Sequence, residues 1–138
     1  MPLIEWKAGY SVGHRDLDAD HENLVELINT LHESWENGED LDVLHGIFGE
    51  LLMYTDYHFQ REERLLEEMA YPALDKQREE HAALRARVQD FRARHLAEPN
   101  PVLTVEIEDF LKTWMMSHIL EEDMRYKPLF EARRPSET

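Results

Sequence analysis

The sequence has no cysteine among its 138 residues. Disulfide bonds, thiolate zinc sites, iron–sulfur clusters and a cysteine nucleophile are therefore excluded. Glycine and proline are scarce too, with 5 and 6 residues. Because these two residues interrupt regular structure, their scarcity, together with a charged fraction of 33%, is typical of a helical protein with solvated outer faces.

Long apolar runs and excess positive charge are also missing. No stretch approaches the ~18 consecutive apolar residues of a membrane-spanning helix, and the N-terminus lacks the apolar segment of a cleaved secretion signal. We therefore expect a cytoplasmic protein that binds no membrane. The 15 basic residues against 30 acidic ones leave a net charge of −15. Nucleic acids select basic surfaces, so we expect no nucleic-acid partner either.

Turn signals divide the chain into a short N-terminal arm and four helices. Asn37-Gly38, Tyr71-Pro72 and the segment 98–101 interrupt the helical pattern. Either Asp16 or Asp18 is predicted to cap the first helix, and Pro128 to end or kink the fourth. The predicted helices span roughly residues 16–36, 40–69, 73–96 and 102–126.

The chain length suits one domain, which we predict to span residues 1–138. Short connections between long helices imply antiparallel neighbours. We therefore predict an all-α fold, an antiparallel up-down-up-down four-helix bundle with a short N-terminal arm. In the fourth helix, Val105 and Ile107 are among the apolar residues that are predicted to face inward.

Histidines recur at matching heights in the four predicted helices. Residues equally far from the turn of an antiparallel hairpin lie at the same height, because each residue rises ~1.5 Å. His21 and His58 are about 17 and 20 residues from the first turn. Glu62 and His81 are each about 10 residues from the second, and His81 and His118 are about 18 and 19 from the third. All four helices thus bring a histidine to one layer, which core packing does not require.

The spacings within each helix agree with a metal site at this layer. His58 and Glu62 lie four residues apart on one helix face, whereas His118 and Asp123 are five apart, which turns the carboxylate sideways. Imidazole and carboxylate groups bind iron, manganese or zinc, and burying them without a metal is costly. The candidate metal ligands are His21, His58, Glu62, His81, His118 and Asp123.

The remaining polar residues of interest are predicted to have ordinary roles. A single histidine on a helix is usually a surface residue or a satisfied core residue. We interpret His14, His32, His45 and His95 in this way, because they fall outside the shared layer. Glu63 belongs to an acidic run that is expected to form a solvated helix face, with Glu62 as the exception.

These residues resemble the hemerythrin family, in its short single-domain bacterial form. The segment from Trp6 to Leu31 is similar to the family's opening arm and first helix. HFQRE, which ends at Glu62, is similar to its His-x-x-x-Glu motif, and HILEED, which ends at Asp123, to its His-x-x-x-x-Asp motif. The resemblance covers nearly the whole chain. It implies a non-haem di-iron centre that binds dioxygen reversibly, in a carrier, store or sensor.

The resemblance also implies a role for each ligand. Two iron ions would be bridged by Glu62 and Asp123 and by an oxo or hydroxo group. His21 and His58 would bind the iron that keeps an open position for oxygen. The other iron would be bound by the two histidines of the third and fourth helices, His81 and His118.

Gln77 departs from the family pattern. The family has a third histidine on the second iron, four residues before the position of His81, and here that position is Gln77. A glutamine carbonyl oxygen binds metals more weakly than imidazole, so we expect a weak or water-mediated ligand. This change keeps a second function open, a di-iron enzyme with peroxidase-like or oxidase-like activity. A metal-free interaction bundle is the third alternative.

Overall fold

The protein forms a bundle of four long helices with a short helical extension. The computed structural model describes residues 3–118 and 123–133. Within the N-terminal arm, Ala8–Tyr10 form one 3₁₀ turn. The long helices are α1 (Arg15–Glu36), α2 (Leu41–Glu68), α3 (Leu74–Ala97) and α4 (Pro101–Ser117); a 3₁₀ turn (Asp123–Arg125) and α5 (Lys127–Arg133) follow.

The first helix is capped by a histidine rather than by an aspartate. His14 Nδ1 accepts hydrogen bonds from two amides of the first turn, one of which is the Asp16 amide at 3.2 Å. The predicted caps, Asp16 and Asp18, are therefore wrong. The Asp18 carboxylate instead accepts hydrogen bonds from Ser11 Oγ at 2.6 Å and from the Val12 amide at 2.7 Å. These bonds attach the arm to the start of α1.

The other helix boundaries follow the local signals in the sequence. Asp40 accepts a hydrogen bond from the Val43 amide and caps α2, which begins next to the predicted start at residue 40. Asn100 accepts one from the Leu103 amide and caps α4. The turn after α1 contains Gly38 with φ of 68°, a left-handed conformation that glycine adopts without steric cost.

The fourth helix ends earlier than predicted. The predicted range was 102–126, but α4 ends at Ser117, and residues 119–122 lie outside the described part of the chain. Pro128 does not terminate this helix. It is the second residue of α5, where a proline is tolerated because amides of the first turn have no helical acceptor.

The four helices close into the predicted antiparallel bundle. Each helix packs against its neighbour in sequence, and α1 also packs against α4. Ile107 is fully buried in the core, whereas Val105, which was also predicted to face inward, is exposed. Over residues 3–118 and 123–133, no helix is both long enough and apolar enough to cross a membrane.

The interior has two apolar clusters with a polar layer between them. The larger cluster includes Leu24 and Phe59, and the smaller one includes Leu17 and Leu66. Along α1, His21 lies between Leu17 and Leu24. At the corresponding height of α2, His58 and Glu62 are buried as well. The bundle therefore places a layer of ionisable side chains in its interior, between the two apolar clusters.

Candidate metal centre

Four histidine side chains meet in this polar layer. The ring centroids of His21 and His58 are 4.7 Å apart, and the ring of His118 is 5.5 Å from His21 and 5.6 Å from His58. His81 of α3 lies 5.5 Å from His118. All four side chains are buried. The helices thus bring these histidines to one height, as their spacing predicted.

Three of these histidines and two carboxylate oxygens form a compact donor set, here named the three-histidine group. Its members are His21, His58, His118, Glu62 and Asp123, and one donor atom of each lies within 4.8 Å of all the others. The carboxylate oxygens that contact the three imidazoles are Glu62 Oε2 and Asp123 Oδ2. Asp123 Oδ2 is 2.9 Å from His21 Nε2 and 2.8 Å from His118 Nε2. Glu62 Oε2 is 3.1 Å from His58 Nε2.

The second oxygen of each carboxylate faces α3. Glu62 Oε1 is 3.1 Å from His81 Nε2. Gln77 Nε2 donates hydrogen bonds to Glu62 Oε1 at 2.8 Å and to Asp123 Oδ1 at 3.1 Å. We name this second set the α3 group: His81 and Gln77, with Oε1 of Glu62 and Oδ1 of Asp123. Each carboxylate therefore offers one oxygen to each group.

His118 stands between the two groups. Its ring is equally far, 5.5 Å, from the rings of His21 and His81. Its Nε2 atom, however, is 3.4 Å from His58 Nε2 and 3.5 Å from Glu62 Oε2, within the three-histidine group. The family resemblance pairs His118 with His81, and the observed position of the ring is within reach of either group.

The charges of the centre stabilise one another. Burial alone would raise the pKa of Glu62, but His118, His58 and His81 outweigh it and hold that pKa well below its usual range. Burial opposes protonation of His118, yet the negative charges of Asp123 and Glu62 raise its pKa well above the ordinary value. A metal cation binds the neutral imidazole, so a cation that binds at His118 must displace the proton that this raised pKa favours.

Several donor atoms at this centre have no hydrogen bond among the described residues. They include both ring nitrogens of His21, of which Nε2 faces the carboxylates, and also His81 Nε2 and Asp123 Oδ2. His21 Nε2 lies 2.9 Å from Asp123 Oδ2, and His81 Nε2 lies 3.1 Å from Glu62 Oε1, but neither pair has hydrogen-bond geometry. A buried polar atom without a partner costs about 1–3 kcal/mol. Imidazole nitrogens and carboxylate oxygens are ligands of iron, manganese and zinc, so this donor set fits a metal cation.

A tyrosine that sequence reasoning missed also belongs to the centre. The Tyr126 hydroxyl is buried and donates a hydrogen bond to Glu62 Oε2 at 3.1 Å. Burial, and then the negative charges of Asp123 and Glu62, raise the pKa of Tyr126 well above its ordinary value. The phenol therefore keeps its proton. Its place three residues after Asp123, on the same side of a helical turn, was the available signal.

Two further carboxylates, which are not in either donor group, orient His58 and His81. Asp20 Oδ2 accepts a hydrogen bond from His58 Nδ1 at 3.1 Å. Glu63 Oε2 does the same for His81 Nδ1 at 2.9 Å. Such bonds fix the ring so that Nε2 faces the metal position. Glu63, expected on a solvated face, is thus partly buried and engaged, and no local sequence pattern reveals these cross-helix contacts.

The other four histidines lie outside the centre, as predicted. His14 caps α1. His32 Nδ1 contacts Glu108 Oε1 at 2.9 Å. His45 Nε2 and His95 Nδ1 are hydrogen-bonded to each other at 3.2 Å. Each of these imidazoles has a local partner that accounts for its position.

A four-helix bundle with a buried layer of histidines and carboxylates defines the class of cation-binding helical bundles. The family model described as "Hemerythrin HHE cation binding domain" matches residues 12–130. Because this match covers most of the chain, the protein belongs to the hemerythrin family.

Individual relatives agree with this assignment. The chain is 30% identical over 127 residues to the bacteriohemerythrin of Clostridium acetobutylicum, covering 90% of this chain and 98% of the relative. It is 29% identical over 123 residues to that of Aquifex aeolicus, covering 88% and 92%. The crystal structure of a leucine-to-alanine mutant of hemerythrin superposes with a TM-score of 0.84 at 23% identity, covering 94% of this chain and 98% of that one, and shows the same fold.

Proposed function

We propose that this protein is a non-haem di-iron protein that binds dioxygen reversibly, as one hemerythrin-like domain over residues 1–138. The observation that carries the proposal is the division of the carboxylate oxygens. Glu62 and Asp123 each direct one oxygen to the three-histidine group and the other to the α3 group. The family's cation-binding character and the bacteriohemerythrin relatives support iron and oxygen as the ligands.

The residues are assigned to the two iron positions as follows. His21 and His58 would hold the iron that binds oxygen, and His81 and His118 would hold the other. Glu62 and Asp123 would serve both. When bound, the two irons supply the electrons that reversible oxygen binding requires.

The protein's own side chains protect and orient this centre. The Phe59 ring stacks on His81 with centroids 3.8 Å apart, and Trp114 stacks on His118 at 5.4 Å. These aromatic rings and the apolar clusters on either side keep water away from the ligands. Tyr126 holds a proton on its hydroxyl and donates it in a hydrogen bond to Glu62 Oε2 inside the centre.

A second candidate function is a di-iron enzyme with peroxidase-like or oxidase-like activity. Two observations favour it. Gln77 stands where a third histidine ligand is expected, which leaves the second iron less shielded. A cavity of about 320 Å³ also opens between α3 and α4, and His81, Trp114 and His118 line it. A small molecule such as peroxide therefore has a route to that side of the centre.

Iron loading followed by oxygen titration separates these functions. The protein is loaded with ferrous iron under argon, analysed for metal, and then exposed to oxygen and returned to argon while its absorption spectrum is recorded. We expect a spectrum that appears with oxygen and disappears under argon. An irreversible change accompanied by steady turnover of peroxide would favour the enzyme. A protein that retains no iron would favour the third alternative, a metal-free interaction bundle.

A further inference from the structure

The side chain of Gln77 joins the two carboxylates of the centre. It is buried, and its single amide nitrogen donates to Glu62 Oε1 at 2.8 Å and to Asp123 Oδ1 at 3.1 Å. Ionised carboxylate oxygens only accept hydrogen bonds, so the amide must direct its N–H₂ group, and not its oxygen, toward them. The amide nitrogen therefore occupies the space between both carboxylates on the α3 side.

This contact affects the two metal positions unequally. A cation in the α3 group needs Oε1 of Glu62 and Oδ1 of Asp123, the same two oxygens that the Gln77 amide occupies. The only imidazole nitrogen that contacts these oxygens in the described structure is His81 Nε2. The three-histidine group uses the other oxygen of each carboxylate, which Gln77 does not contact, and it has His21 and His58 beside it, with His118 within reach of either group. Gln77 therefore competes with one cation and not with the other.

Glutamine also suits the state in which only the three-histidine group is filled. Its amide nitrogen has two hydrogens, so one side chain satisfies one oxygen on each carboxylate. A neutral histidine at this position has one N–H and cannot satisfy both. The structure thus contains a built-in partner for the two oxygens that a single cation leaves unbound.

We propose that the two metal positions fill in order. A first cation binds tightly in the three-histidine group, and a second binds weakly in the α3 group, because it must displace Gln77 from both carboxylates. This inference rests on the proposed function, in which the oxygen-binding form holds both irons. It adds that this form assembles only when free iron exceeds the dissociation constant of the weaker position. Gln77 thereby makes oxygen binding depend on the supply of iron.

A titration of the wild-type protein with ferrous iron under argon tests the order directly. Isothermal calorimetry should show two steps, with dissociation constants at least roughly 100-fold apart, the upper range for losing support at a metal ligand. Elemental analysis after desalting should then find one retained equivalent at low free iron and two at high free iron. Two equivalents that bind with one common affinity would overturn the proposal.

Three variants locate the two steps. Gln77→His should tighten the second step by roughly 10–100-fold and leave the first nearly unchanged. Gln89→His, on the exposed face of the same helix, adds the same residue away from the centre and should change neither step. His81→Ala should abolish the second step alone. An unchanged second step in Gln77→His, or the loss of both steps in His81→Ala, would contradict the order.

Oxygen uptake measured against free iron separates this inference from the proposed function. If the proposed function and the filling order are both right, reversible oxygen uptake accompanies the binding of the second iron and not of the first. Fully loaded protein that shows two separate steps but takes up no oxygen would refute the oxygen-binding function and keep the filling order. Uptake that is complete after the first step would refute the dependence on the second cation.

Discussion

A substitution at Asp20 tests the structural account of the centre without replacing a proposed ligand. Its carboxylate is buried and accepts hydrogen bonds from His58 Nδ1 at 3.1 Å and from the Tyr54 hydroxyl at 3.0 Å. Burial would raise the pKa of Asp20, but its contacts with His58, Tyr54 and Arg61 outweigh burial and lower it. We predict that Asp20→Asn weakens both folding and metal binding.

The structure sets the size of both effects. The asparagine amide keeps one acceptor oxygen, while its nitrogen faces either His58 N–H or Tyr54 O–H, both of which donate. One buried donor therefore loses its acceptor, which costs about 1–3 kcal/mol of unfolding free energy. The partly exposed Arg61 lies 3.5 Å away and adds about 1 kcal/mol at most. Loss of a carboxylate that orients a histidine ligand lowers metal affinity by roughly 10–100-fold.

Two measurements on chelator-treated protein check this prediction. Urea denaturation gives the change in unfolding free energy, and titration with ferrous iron under argon gives the change in affinity. Glu22→Gln is the matched control, because it removes one negative charge from the exposed face of the same helix. Destabilised Asp20→Asn protein with unchanged metal affinity would show that Asp20 only supports the fold and does not orient His58.

Three further predictions follow from the same contacts. Glu62→Ala should lose most of its bound iron in elemental analysis, because one side chain serves both groups, and a fully loaded variant would refute that role. Chelator-treated protein should melt at a lower temperature than loaded protein in calorimetry, because a ligand of the native state alone adds stability; equal melting temperatures would place the metal elsewhere. The third prediction concerns the hydrogen-bonded pair His45 and His95, which lies outside the centre. Burial lowers the pKa of both; Arg92 adds to the effect at His45, and His45 adds to it at His95. The unfolded chain then binds more protons, so their contribution to stability is complete above about pH 6.5 and declines as pH falls below it. Urea denaturation at about pH 7.5 and 5.5 gives the loss of unfolding free energy on acidification. This loss should be smaller in His95→Gln than in wild type, and an equal loss would refute the role of His95 in the pH dependence.

The sequence by itself determined the helices and the height of each histidine. Helical rise is constant, so distance from a turn converts directly into height along an antiparallel bundle. This is why the spacing of His21, His58 and His81 predicted a shared layer before any contact was known. The starts of α2 and α4 near residues 40 and 102 were predicted for a similar reason, since turn signals are local in the sequence.

Rotation of each helix about its axis was decided by tertiary structure. Val105 follows the apolar pattern yet is exposed, because the face that α4 buries depends on where its neighbours pack. The early end of α4 at Ser117 is also absent from the local pattern.

Contacts across helices were likewise beyond the sequence pattern. Asp20 and His58 are 38 residues apart, and Gln77 and Asp123 are 46 apart. Spacing places Gln77 on the metal-facing side of α3, but only the folded bundle shows that its amide nitrogen, and not its oxygen, faces the centre. The physical reason is that the two acceptors come from α2 and from the chain after α4, and no single helix contains both.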